Sequence, residues 1–226
     1  MLAGVSIVSA SVALTRATGL GPSPVSCLPA TLSYLTPLTI GTWTFVMNVI
    51  FVLIQIALLR HDFNPVQLLQ IPYVFVFSAL IDVFVPYCEL IPMESYALQV
   101  LWSVIGCFMT AFGVFLQVKA SFLTLPGEGI NLAISRVTGI AFPKVKVAFD
   151  CTNVVVAAAV SLVCSGALYG VREGTILAAL AVGSIVGLFN KLMPHFEHFC
   201  PIRGHITLTA ATMAAPEEET APSAEE

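Results

Sequence analysis

Charge is what this sequence has least of: Asp, Glu, Lys and Arg make up 10% of its 226 residues, where a soluble domain carries about 25%. The few charges are also unevenly placed. Glu217, Glu218, Glu219, Glu225 and Glu226 crowd the last ten positions, and setting these five of the thirteen acidic residues aside leaves eight against nine basic ones. The formal charge of -4 therefore belongs to the tail, and the body is close to neutral. Its Lys and Arg residues form no clustered basic face, which argues against nucleic acid as a partner.

Other absences narrow the function. The six cysteines, Cys27, Cys88, Cys107, Cys151, Cys164 and Cys200, show no CxxC spacing. Most lie in or beside apolar runs and behave as small hydrophobes, so they leave the redox compartment open. No nucleophile elbow, phosphate-binding loop, kinase signature or HExxH zinc motif is present, so neither an enzyme nor a cofactor is expected. His195, His198 and Cys200 sit close together, but the spacing is loose and no second ligand pair accompanies them, so no metal site is expected.

What the chain does contain is apolar residue, 58% of the total, more than a water-soluble fold of this size can hide. A spanning helix needs about 20 mostly apolar residues, and six segments approach that: Leu2 to Thr18, Ile40 to Leu59, Val66 to Pro86, Tyr96 to Val118, Val145 to Ser165 and Gly174 to Leu192. The first lacks the basic start and cleavage site of a signal peptide and is taken as a short span. The class predicted is all-α, a polytopic membrane protein in which the lipid bilayer is the solvent. Placing Arg60, Lys119, Arg136, Lys144, Lys146, Lys191 and Arg203 on one side leaves Arg16 and Arg172 on the other. The positive-inside bias then puts both termini in the cytoplasm. Trp43, Trp102, Tyr34, Tyr87 and Tyr96 fall near span ends, where amphipathic rings favour the headgroup layer. The transmembrane domain is expected over 1–203, and 204–226, rich in Ala, Thr, Glu and Pro, as a disordered acidic cytoplasmic tail.

Shifting the chain on itself by 102 residues brings weak similarities into line. Val12–Arg16 falls on Val114–Val118, Pro24 on Pro126, Asn48 on Asp150, and Val74 and Phe75 on Ile176 and Leu177. Two halves, 1–95 and 96–203, then carry three spans each, and an odd number per half makes the second half inverted relative to the first. Such architecture recurs in transporters with a site at the repeat interface. The same shift superposes two Gly/Pro-started stretches, one from Gly19 and one from Leu125. Each is too short to span and is expected as a re-entrant or an interfacial segment. A helix starting at Pro24 or Pro126 in a cavity would offer its N-terminal amides to an anionic group.

Charged and amide residues inside an apolar region are costly and mark candidate sites. The candidates for substrate binding are Asp82, Asn48, Asp150, Asn153, Arg16, Glu128 and Asn131, taken together as a polar cavity between the halves. Structural alternatives stand beside this: Arg16 and Asp150 near span ends snorkelling to the headgroups, Asp82 pairing with Arg16, and Asn48 and Asn153 as interhelical glue. Gly183 and Gly187 form a GxxxG pattern suited to close helix packing.

Several short motifs resemble the bacterial YczE/YyaS/YitT group of membrane proteins: Gly19-Leu-Gly-Pro-Ser-Pro, Leu38-Thr-Ile-Gly-Thr-Trp, Ala79-Leu-Ile-Asp, Pro126-Gly-Glu-Gly and Gly170-Val-Arg-Glu-Gly-Thr-Ile. The likeness covers roughly residues 1–192 and does not account for the acidic tail. It implies residence in a bacterial plasma membrane and names no substrate or binding residue.

The leading expectation is a transporter or exporter of a small solute, with anions among the candidates. The alternatives are a substrate-capture membrane subunit of a multi-component importer and a non-transporting accessory or scaffold protein. A homodimer or partner membrane subunits are the protein partners considered. Six spans put positions 60 and 172 on opposite faces of the bilayer, so thiols introduced there are expected to label from opposite sides in sealed vesicles. Labelling from one side would overturn the topology.

Overall fold

The computed structural model describes residues 2–60, 65–120, 125–167 and 170–192. Among these every regular element is helical, and no strand occurs. In chain order they are α1 (Leu2–Ala17), α2 (Pro24–Leu35), α3 (Ile40–Leu59), α4 (Gln70–Glu89), α5 (Tyr96–Ala120), α6 (Pro126–Thr138), α7 (Phe142–Ser165) and α8 (Glu173–Leu192). A 3-10 turn over Pro65–Leu69 leads into α4.

The helix boundaries follow from local chemistry. Proline opens α2 and α6, where its missing N–H is one that a first turn leaves unpaired anyway. Thr39 caps α3 by accepting from the Thr42 N–H at 3.1 Å, as N-cap hydroxyls do. Gly139 and Gly166 end α6 and α7 in the left-handed conformation.

Among the described residues, four helices are long and apolar enough to cross a membrane, namely those over 40–59, 67–89, 96–117 and 144–165. The chain is thus a multi-pass, all-helical membrane protein, and four of the six expected spans meet that length and apolarity. α1 has 16 residues and rises about 24 Å, short of a hydrocarbon core of about 30 Å. α8 has 20 residues, several of whose side chains lie outside the described residues. The two Gly/Pro-started stretches are helices, α2 and α6. Neither lies loose on the surface, since Cys27, Leu28, Pro29, Ala30 and Thr31 of α2 and Ile130, Asn131 and Ala133 of α6 are buried.

The surface is apolar and the interior is partly polar, as expected where the surrounding solvent is hydrocarbon. Phe75, Val83, Val155 and Val163 are exposed, the last at 85%, while Ser9, Ser11, Gln55, Asn131 and Ser161 are buried.

α1 and α5 cross in antiparallel sense and at close range. Gly4 lies against Gly113 and Gln117, Val8 against Gly113, and Thr15 against Gly106. Ser11 donates to the Gly106 carbonyl at 2.8 Å and meets the Thr110 hydroxyl. Small residues here bring the backbones together, which is how helices associate when lipid supplies no hydrophobic drive. α4 lies parallel to α1 on its other side, with Ser9 donating to the Phe77 carbonyl at 3.0 Å, and α8 packs on α5 through Phe189 against Phe112 and Phe115. α2 packs on α7 and α3, α6 packs on α3 and α7, and α3 runs antiparallel to α4.

A Cβ at Gly113 would strike Val8 and the Gly4 carbonyl. Gly113→Leu is therefore expected to cost about 1–3 kcal/mol through overpacking, read as a lower midpoint of thermal unfolding in detergent. An unchanged midpoint would show that α1 and α5 are not in this contact.

Candidate functional site

The four charged candidates fall into two separate groups, and the three amides bond within their own helices. The groups sit toward opposite ends of α3. Asp82 meets its first turn and Glu128 stands beside Gly129, which contacts Gln55. Gly41 and Gln55 are about 20 Å apart along the helix.

At the first end Asp82 reaches from α4 to the start of α3. One carboxylate oxygen accepts from the Thr39 hydroxyl at 2.6 Å and the other from the Gly41 N–H at 2.8 Å. The negative charge thus faces a helix N-terminus, where unpaired amides and the dipole both favour it. Only glycine at 41 allows this approach, because a Cβ there would collide with the Asp82 carboxylate and the Ser78 carbonyl. Arg16 does not pair with Asp82, as one structural alternative had it. It bonds to Glu89 at 2.9 Å, and its guanidinium lies over the Tyr34 ring, 5.0 Å from the centroid. The ends of α1, α2 and α4 are tied together by this ion pair and cation–π contact.

At the other end Lys146 stands between two carboxylates, 3.0 Å from Glu128 of α6 and 3.4 Å from Asp150 one turn along α7. All three side chains are partly buried. Two negative charges against one positive leave the cluster at net -1. One Asp150 oxygen, Oδ1, is buried without a hydrogen-bond donor, as is Oδ1 of Asn131, a residue with no exposed surface. Both are acceptors, so the unmet capacity in α6 and α7 is for donors or positive charge.

The remaining amides are local. Asn48 donates to the Thr44 carbonyl, Asn153 to that of Phe149, and Asn131 to that of Gly127, each one turn back. Cys27 is fully buried, with its sulfur 3.7 Å from the Asn153 carbonyl. Phe51 and Phe149 meet edge to face where α3 approaches α7.

Two residues escaped the sequence reading. Lys146 was counted only as a topology marker, although its spacing of four from Asp150 on one helix is a direct signal of an ion pair. Gln55 stands alone in an apolar run, fully buried, and donates to the Pro126 carbonyl at 3.1 Å while its oxygen lies against Gly129. Gly183 and Gly187 lie on α8, but their surroundings fall outside the described residues, as do His195, His198, Cys200 and the acidic tail.

Lys146→Met removes the one positive charge between Glu128 and Asp150. We expect a loss of about 1–2 kcal/mol, between the values for exposed and fully buried ion pairs, measured as thermal stability in detergent. Adding Glu128→Gln to Lys146→Met is expected to recover part of it, and no recovery would mean the pair is not coupled.

No curated protein and no solved structure matches the chain. One family model does match, over residues 1–191, and it does not bear out the YczE/YyaS/YitT group specifically. Since that match takes in the two charged groups and the whole helical bundle around them, the chain belongs to the family of unknown function DUF6198.

Proposed function

We propose that the two halves are inverted repeats and that the protein carries a small solute across a bacterial plasma membrane, both termini being cytoplasmic. The observation that carries this is the antiparallel crossing of α1 and α5, which maps onto itself under a shift of 102 residues. Gly4 meets Gly113 and Gln117, and the equivalent Gly106 meets Ser11 and Thr15. Val8 meets Gly113, and the equivalent Thr110 meets Ser11. Such a set of contacts is what two equivalent helices make across a two-fold axis lying between them.

Further support comes from the helix bounds. Shifted by 102, α2, α3 and α4 begin at 126, 142 and 172, against Pro126, Phe142 and Glu173 for α6, α7 and α8. Gly127 lies against its own equivalent, Val25. α2 and α6 fit the role of re-entrant helices, each enclosed by the opposite half's long helix as well as its own. Irregular chain at membrane depth survives only where protein or a water-filled cavity satisfies it, and half-helices meeting at a repeat interface are where transporters of this architecture bind.

The charged cluster points away from an anion. Glu128 occupies the first turn of α6 and answers the helix dipole itself. With Asp150 it outweighs Lys146, which favours a neutral or cationic solute. The equivalent positions in the first half are Ser26, Thr44 and Asn48, so the charge belongs to one half alone. No covalent chemistry is needed for this function.

Purified protein in lipid vesicles is expected to support uptake of a neutral or cationic member of a metabolite panel. Asp150→Asn should lower that flux at least about tenfold, the weight of a charge-assisted contact. Absence of flux across the panel, from protein that remains folded, would reject the proposal. Co-purification of an ATPase would instead favour a substrate-capture subunit.

A further inference from the structure

The correspondence between the halves breaks at two interfaces: α2 packs on α8 while the counterpart pair, α6 and α4, shares no comparable interface among the described residues, and the larger break concerns α3 and α4. Exchanging them maps α1–α5 onto itself, α1–α4 onto α5–α8, α2–α7 onto α3–α6, and α2–α3 onto α6–α7, and each of these pairs is packed. The pair α3–α4 is packed as well, but α7 and α8, its counterpart, share no comparable interface among the described residues.

α3 and α4 are held at two levels. Asp82 accepts from Thr39 and Gly41 at one end, and the rings of Phe45 and Phe75 meet edge to face at 5.9 Å further along. The positions equivalent to the two rings are Val147 and Leu177. Both are apolar, and they are 63% and 37% exposed. Closure of α7 on α8 would set these two apolar side chains together as the two rings are set.

We propose that the protein has a second state in which the halves exchange roles, α7 closing on α8 with Val147 against Leu177 while α3 and α4 part and the Asp82 contacts break. This rests on the inverted-repeat transport reading and specifies its moving parts. The two closures differ in strength for a chemical reason. Pro143 and Ser184 stand at the positions equivalent to Gly41 and Asp82. Proline has no N–H to donate, and a serine carries no charge to set against the start of α7. The α7–α8 closure therefore lacks the charge-assisted latch, and the state with α3 on α4 is the more populated one at rest.

Cysteine pairs at 45 with 75 and at 147 with 177, treated in native membranes with a short bifunctional maleimide, read the two closures separately. Mass spectrometry of the linked peptides separates them from products of the native cysteines. Both links are expected to form, the first more abundantly. A protein carrying all four substitutions should acquire one link or the other on a given molecule, never both. Asp82→Asn should raise the ratio of the 147–177 link to the 45–75 link roughly tenfold, about the effect of losing one charge-assisted hydrogen bond. If that variant fails to fold, Thr39→Val, which removes one of the two donors, serves the same comparison and should move the ratio in the same direction.

A 45–75 link with no 147–177 link under any condition overturns the exchanged state, and so do both links on one molecule. Loss of the 45–75 link overturns the resting closure. Flux in vesicles separates the two levels. Transport without a 147–177 link sinks the exchange and spares the transporter, while exclusive links without transport do the reverse.

Discussion

The close approach of α1 and α5 is the contact on which the bundle depends. In lipid there is no gain from burying one apolar face against another rather than against acyl chains, so helices associate where backbones come near enough for dense packing and short polar contacts. Gly4, Gly106 and Gly113 supply that nearness, and Ser11 uses it to reach a carbonyl of the neighbouring helix. With α1 and α5 locked, α4 and α8 are carried on their flanks. α2, α3, α6 and α7 pack on one another, through Cys27, Leu28 and Ala157 on one side and Gln55 with Gly129 on the other.

Polar groups inside the bundle are placed by the same constraint. No water reaches them from the hydrocarbon, so each is satisfied within the protein or marks unused capacity. Asp82 is fully engaged, both oxygens accepting at the start of α3, and acts on architecture by fixing α4 to α3. Asp150 differs, with one oxygen near Lys146 and the other buried without a donor. Both are carboxylates in apolar helices, yet one is a structural tie and the other belongs to an incomplete polar cluster. On the transport reading, the first governs which closure is favoured and the second governs what is bound.

Much of this was legible in one dimension, and the reason is length scale. A bilayer needs long apolar runs, so α3, α4, α5 and α7 stand out by composition alone. Pro24 and Pro126 marked the starts of α2 and α6, because proline is tolerated at a helix's first position and little further in. The proposed repeat rests on a handful of positions paired by a shift of 102 residues. α1 stands out less, because its apolarity extends from Leu2 to Thr18 while its helix covers 16 residues. Apolarity measures the wish to avoid water, and crossing a membrane also needs reach. Lys146 was passed over because a lysine near a helix start serves equally as a topology marker and as an ion-pair partner.

The sequence by itself determined that this chain lives in lipid, that it is helical and where most helices begin, since these depend on local composition and on residues a few positions apart. Only the tertiary structure decided that Arg16 turns to Glu89 and Tyr34 and not to Asp82, that Asp82 caps α3, and that Glu128 and Asp150 share one lysine. Those choices join residues tens of positions apart in most cases, and which charge meets which is settled by how helices cross, a matter of backbone approach that no single segment carries.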